Sequence, residues 1–301
     1  DAGPADLRRP GHVQPIRARD GGVLVRTGQT EGSVDLCRLA GLRPAAVICE
    51  VMNPDGTMSR MPDLEAFCAT HQLKLCSVAQ IIEHRRRTER LVELVSSVHL
   101  PTDVGPFQLH CYRCTITGEA HVVLTVGDIG PGHPPIDDPV LLRVHSECLT
   151  GDIFHSQRCD CGEQLHTAME LIQREGRGAL VYMRQEGRGI GLDNKIRAYA
   201  LQEQGLDTVQ ANEELGFAAD LRDYGIGAQI LSDLGVHRMR LLTNNPKKIH
   251  GLSGHGLEVT ERIPLLIRPR AENARYLHTK RTKLGHLLDS DIEESDAPDA
   301  G

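Results

Sequence analysis

Apolar residues recur along this chain at two spacings, and the switches between them mark out its parts. Residues 45–51 and 73–77 are short apolar runs of strand type, while Val34–Ala40 and Met61–His71 space their apolar positions by three and four, as helices do. Asn53-Pro-Asp-Gly56 is a turn signal between them. Helix alternating with strand predicts a parallel or mixed sheet in this part of the chain. Ile81–Val95 has helical spacing and an arginine cluster broken by acidic residues. With no aromatic stacking partner, it reads as a solvated linker helix rather than a nucleic-acid patch.

Past residue 92 the pattern changes. Phe107–Thr117 and His121–Asp128 read as adjacent strands joined by a turn at Gly118. Glu163–Arg174 is helical through Leu165, Met169 and Ile172, Ala179–Met183 is a strand of buried type, and Leu192–Gln204 is again a helix. Residues 1–20, rich in Pro, Gly, Arg and Asp, and the small acidic residues 288–301 have no apolar period and are expected to be disordered.

Composition narrows the classes. At 301 residues there is room for two domains, and with tryptophan absent their cores must be built from Leu, Val, Ile and Ala. The balance of 34 Lys and Arg against 41 Asp and Glu, net −7, argues against broad binding to nucleic acid or anionic membrane. An anionic substrate must therefore meet a local basic pocket. No apolar run approaches the roughly 18 residues of a membrane span, and no secretory pattern opens the chain. Nine cysteines without a disulfide framework fit a reduced cytoplasm.

The chemistry concentrates in Cys148, Cys159 and Cys161. Three thiolates this close in sequence can converge on one soft ion, and zinc is the expected guest. Three protein ligands with an open position is the catalytic pattern, in which the metal activates water at neutral pH. If His145 or His155 supplied a fourth ligand the site would be structural, and a third reading makes the thiols buried small hydrophobes. Cys111 and Cys114 lie three apart on a predicted strand, so they face opposite sides and cannot easily clasp one ion.

Glu186-Gly-Arg-Gly-Ile-Gly191 is a glycine-rich loop between strand and helix, where backbone N–H groups can approach phosphate. It matches neither the dinucleotide fingerprint nor the P-loop, and a tight structural turn explains it equally well. Arg188, Lys195 and Arg197, with Thr243-Asn-Asn-Pro-Lys-Lys248 at a strand end, add basic groups that suit a triphosphate.

Taken in order, Arg143–Cys148, the Cys-Asp-Cys pair, Arg184–Leu192, Lys195–Leu201, Gly216–Asp223 and Leu242–Lys248 closely resemble GTP cyclohydrolase II across residues 92–287. The resemblance implies an α/β fold, a mixed sheet with helices packed on it, and hydrolysis of GTP to 2,5-diamino-6-(5-phosphoribosylamino)pyrimidin-4(3H)-one, formate and diphosphate, the first step of riboflavin biosynthesis. It implies zinc on Cys148, Cys159 and Cys161, magnesium with the phosphates, and a cytoplasmic homodimer. GTP contacts would come from Arg143, Val144, His145, Ser146, Glu147, Gln164, Glu186, Gly187, Arg188, Thr208, Thr243 and Lys248. Tyr199 would donate or relay a proton near the purine ring, Asp220 would accept one, and Arg222 would be a nucleophile at the phosphate. A guanidinium with pKa above about 12 is a poor nucleophile, so charge stabilisation is an alternative role for Arg222. Other readings are a ring-opening hydrolase that retains the formyl group, an inactive GTP-binding module with structural zinc, and a specialised pathway sharing the first step.

Residues 21–91 resemble part of 3,4-dihydroxy-2-butanone 4-phosphate synthase through Arg26-Thr-Gly-Gln-Thr-Glu31 and Ile48–Thr57. Gln29 stands where that family has a metal-binding histidine. An amide oxygen is a weaker ligand and shuttles no proton. The expectation is a partial α/β synthase-like domain without synthase activity.

Overall fold

The computed structural model describes residues 10–11, 13–218, 222, 224–253 and 257–287. The predicted tail 288–301, residues 1–9 and 12 of the predicted N-terminal disordered segment, and Asp220 lie outside the described residues. The chain divides into two compact units after Glu89.

The first unit is helical: α1 (Gln29–Leu39), α2 (Met61–His71) and α3 (Val78–Thr88). Ser77 caps α3 by accepting from Gln80 N at 3.2 Å, while the Gln80 side chain returns to Ser77 N at 2.9 Å, a reciprocal capping box. A buried polar cluster joins α1 and α3: Asp35 accepts from Val23 N and from Arg85, both at 2.8 Å. Gly22 (φ +62°) is required here, because a Cβ would come within 2.2 Å of Asp35 Oδ1. The predicted strands 45–51 and 73–77 are not laddered; the one pairing nearby is an isolated bridge between Met52 and Met58. Apolar alternation encodes extended backbone, but a ladder also needs a neighbouring strand. The predicted helix 81–95 likewise stops at Thr88, and β1 (Val92–Thr102) begins four residues later.

The second unit is built on one seven-stranded sheet. To β1 are added β2 (Gly105–Cys114), β3 (Ala120–Val126), β4 (Val140–Ser146), β5 (Gly178–Met183), β6 (Arg238–Leu242) and β7 (Glu258–Ile263). Their order is β1-β2-β3-β5-β4-β6-β7. The β1-β2-β3-β5 pairings are antiparallel, and β5-β4-β6-β7 run parallel. Helix α5 (Cys161–Glu175) packs Ala168 and Ile172 on one face with Leu141, Leu180 and Leu242. Helices α8 (Gly225–Asp233) and α9 (Pro246–Ser253) cover the other face, where Ile230, Leu231 and Leu252 meet Leu142, Val181 and Leu241. Leu142 is fully buried, and its truncation to alanine would cost about 2–5 kcal/mol.

This topology places the site. The carboxyl ends of β4, β5 and β6 lie side by side, where open α/β sheets bind ligands. Strand β4 is buried on both faces, so alternation puts Val140, Leu142 and Val144 in one apolar layer and sends Leu141, Arg143 and His145 to the other side. Two polar side chains are thus carried inward to the strand's end.

Candidate active site

The cysteines converge. Cys148 follows β4 and precedes the short α4 (Leu149–Asp152); Cys161 opens α5 and Cys159 stands two residues before it. Their three sulfur atoms lie within 4.8 Å of one another, with Cys148 and Cys159 3.7 Å apart. Tetrahedral coordination with metal–sulfur bonds of about 2.3 Å separates the ligands by about 3.8 Å, so this donor set fits one soft metal ion. Neither His145 nor His155 joins the cluster. His145 Nε2 lies 3.1 Å from Asp152, and His155 is exposed.

Protons are shared unevenly in the trio. Hydrogen bonds from Cys159 and Cys161, together with the Lys195 ammonium 3.1 Å from its sulfur, pull the Cys148 thiol far below its ordinary value, and bonding to Cys148 pushes Cys159 up to about 11. Gly151 is pressed against the cluster: a Cβ there would meet Cys159 Sγ at 2.9 Å and Cys148 Sγ at 3.1 Å.

Supports for these groups are buried. Asp152 accepts from Cys148 N (2.9 Å) and Tyr182 OH (2.8 Å) as well as facing His145. Burial keeps the His145 imidazole below its usual pKa, and its ring stacks on Tyr182 with centroids 5.5 Å apart. Glu186 accepts from Leu149 N (2.7 Å), Gly187 N (2.7 Å) and Lys195 Nζ (2.8 Å), tying the loop after β5 to the segment after Cys148. In that loop Gly187 (φ 61°) and Arg188 (φ 62°) are both left-handed, and consecutive residues of this kind bring backbone N–H groups together.

Around the cysteines opens a cleft of about 1070 Å³ including its mouth. It is lined by Arg143, His145, Ser146, Glu147, Gln164, Glu186, Gly187, Arg188, Tyr199, Thr208, Arg222, Thr243 and Lys248. Val144 instead packs in the core, and its carbonyl accepts from Lys248 Nζ at 2.7 Å. Tyr199, on α6 (Gly191–Glu203), has its hydroxyl 3.3 Å from Thr150 Oγ1, and Arg158 lies 5.1 Å from its ring centre. Arg222 NH1 donates to Ser146 Oγ at 3.4 Å. Arg143 donates to Leu242 O (2.8 Å) and Gln164 Oε1 (2.6 Å), and burial brings its pKa down to about 10. Thr208 begins α7 (Thr208–Glu214), whose cap is Asp207.

Seven Lys and Arg side chains line the cleft against the carboxylates Glu147 and Glu186. In a chain of net charge −7, this is the local basic pocket an anionic substrate requires. Asn212, Tyr276, Lys280 and His286 also line it, and no local motif points to them. The last three belong to α10 (Ala274–Thr282) and the residues after it. Their signal is tertiary: Lys280 pairs with Asp160, between two of the cysteines and 120 positions away.

Such a fold and cleft define an α/β enzyme with an anion-binding site at the carboxyl ends of parallel strands and a cysteine trio able to hold one metal ion. Residues 93–264 match the family model of GTP cyclohydrolase II, and residues 1–84 that of 3,4-dihydroxy-2-butanone 4-phosphate synthase. The riboflavin biosynthesis protein RibBA of Aquifex aeolicus is 59% identical over 96% of this chain and 70% of its own length. RibBA of Salinispora tropica is 60% identical over 95% and 70%. The crystal structure of RibBX, a two-domain 3,4-dihydroxy-2-butanone 4-phosphate synthase from A. baumannii, superposes with a TM-score of 0.57 at 32% identity, over 89% of this chain and 67% of its own. The chain belongs to the GTP cyclohydrolase II family and is a GTP cyclohydrolase of riboflavin biosynthesis. Among the described residues no helix is long and apolar enough to cross a membrane.

Proposed function

We propose that Cys148, Cys159 and Cys161 hold one catalytic zinc ion, and that the products are formate, diphosphate and 2,5-diamino-6-(5-phosphoribosylamino)pyrimidin-4(3H)-one. The observation that carries this reading is a three-sulfur cluster without a fourth His, Cys, Asp or Glu among the described residues, at the floor of a basic cleft. When bound, zinc supplies Lewis acidity that activates water at neutral pH.

The chain's own groups do the rest. Tyr199, held by Thr150 beside the cluster, donates or relays a proton near the purine ring. Arg222, anchored on Ser146, acts at the phosphates as charge stabiliser or nucleophile, with Asp220 as its proton acceptor. Arg143, His145, Glu147, Gln164, Arg188, Thr208, Thr243 and Lys248 bind and orient GTP, with magnesium at its phosphates. Glu186, whose carboxylate already serves Leu149, Gly187 and Lys195, contributes by shaping the loop. The protein acts as a cytoplasmic homodimer on GTP, without nucleic acid or membrane. Its first unit, where exposed Gln29 replaces a histidine, has no synthase activity.

Metal content and formate release, measured together on wild type and Cys159→Ser, test the reading. Zinc and formate should be lost together, and formate release by a zinc-free variant would overturn it. The product's mass decides whether the formyl group leaves.

A further inference from the structure

The wall of the cleft formed by the C-terminal segment has no part in the function described so far. Tyr276, Lys280 and His286 line the cleft, yet all three lie beyond the residues matched to the cyclohydrolase family. We propose that His286 contacts the phosphates of bound GTP, making the segment from Ala274 to Leu287 a working part of the site rather than a trailing helix.

Three observations carry this. The segment is anchored, not draped. Lys280 Nζ donates to Asp160 Oδ1 at 2.5 Å, both groups being buried, and lies 4.5 Å from the Tyr276 ring centre. Lys283 pairs with Asp207, and Leu277 and Leu284 are buried. The end of the segment is fixed beside the loop after β6: His286 N donates to Lys280 O at 3.0 Å and Leu287 N to Asn244 O at 2.8 Å. That fixes the imidazole's place in the lining.

Finally, cations from several elements crowd it. Burial and the nearby cations Lys280, Arg188, Arg222 and Lys248 push the His286 pKa down to about 3. These cations come from four separate parts of the unit: α10, the loop after β5, the approach to α8, and α9. A triphosphate is the only part of GTP that such a concentration of positive charge suits. A neutral imidazole N–H can donate to a phosphate oxygen without adding another charge to a site already rich in them.

This inference rests on GTP being the substrate, and the experiment separates the two. On the zinc-loaded full chain, KM and kcat for GTP are measured together with inhibition by inorganic diphosphate and by guanosine, for wild type, His286→Ala and His286→Gln. His286→Ala should raise KM for GTP and the inhibition constant for diphosphate about tenfold, about 1.4 kcal/mol. Guanosine inhibition and zinc content should stay at wild-type values. His286→Gln, which keeps a side-chain N–H, should recover part of the loss. Unchanged diphosphate inhibition, or an equal loss for guanosine, would overturn the assignment. If His286→Ala fails to fold, the same comparison of diphosphate with guanosine on His286→Gln decides. Wild type that neither binds nor converts GTP would instead sink the functional reading itself.

Discussion

The two units bury charge in opposite ways. Up to Glu89, each buried carboxylate meets a guanidinium and a backbone N–H: Asp35 takes Val23 N and shares Arg85 with Glu89, and Glu31 takes Arg19 N and Arg26. Among the described residues of that unit only Val23 and Ile81 are buried large apolar side chains. From Arg90 onward two apolar layers sandwich the sheet, and positive charge accumulates around an opening with too few carboxylates to match it. Matched buried charge holds a fold together, whereas an excess of one sign around a cleft suits a ligand of the other. The second arrangement is tolerable because a large apolar core supports it.

The contrast can be broken experimentally. Asp35→Ala strips Arg85 of its buried partner and leaves Val23 N unbonded, so the first unit should lose about 3–5 kcal/mol. Denaturant unfolding followed by hydrogen exchange measures this; the sharper form of the prediction is that GTP turnover stays within twofold. Arg222→Ala should do the reverse, lowering diphosphate release by about 10²–10³-fold while thermal stability is kept. Retained release at the wild-type rate would remove Arg222 from both proposed roles. Gly151→Ala forces a methyl group against Cys159 and Cys148, and chelator competition should show metal affinity falling at least about tenfold.

The last comparison is of pH dependence, an effect absent near neutral pH. His286 titrates near 6.5 when unfolded but near 3 when folded, so between those values the unfolded chain binds the extra proton. Its contribution keeps the second unit stable above pH 6.5 and is lost as pH falls toward 3. Melting temperature against pH should be flatter over that window for His286→Gln. Buried His110, His121 and His145, also lowered by burial, keep the remaining slope.

What could be read from sequence was short in range. The cysteine trio spans 14 residues, and the glycine loop announces itself locally, because each carries its chemistry within a few turns of chain. The strand leading into that loop and the helix before the strand follow from apolar spacing, since both faces of β5 and one face of α5 are buried. The segment around residue 90 defeated spacing, because Ile81–Val95 fits a helical period while Val92 onward is recruited by pairing with β2. Residues 45–51 failed for the opposite reason, having strand composition without a ladder; Val47 is 94% exposed. The ion pair between Asp160 and Lys280 spans 120 residues, and His286 is placed by contacts of its segment with Asn244 and Asp160, which no local pattern encodes.

The cleft lies at one rim of the sheet, the ends of β4, β5 and β6. The other rim, where β3 runs out at Val126 and β5 starts at Gly178, contributes none of the cleft's lining. Asp137 and Asp138, in its connection to β4, are exposed and outside the cleft lining, so a fluorescent reporter or a surface tether inserted there should leave the catalytic rim untouched.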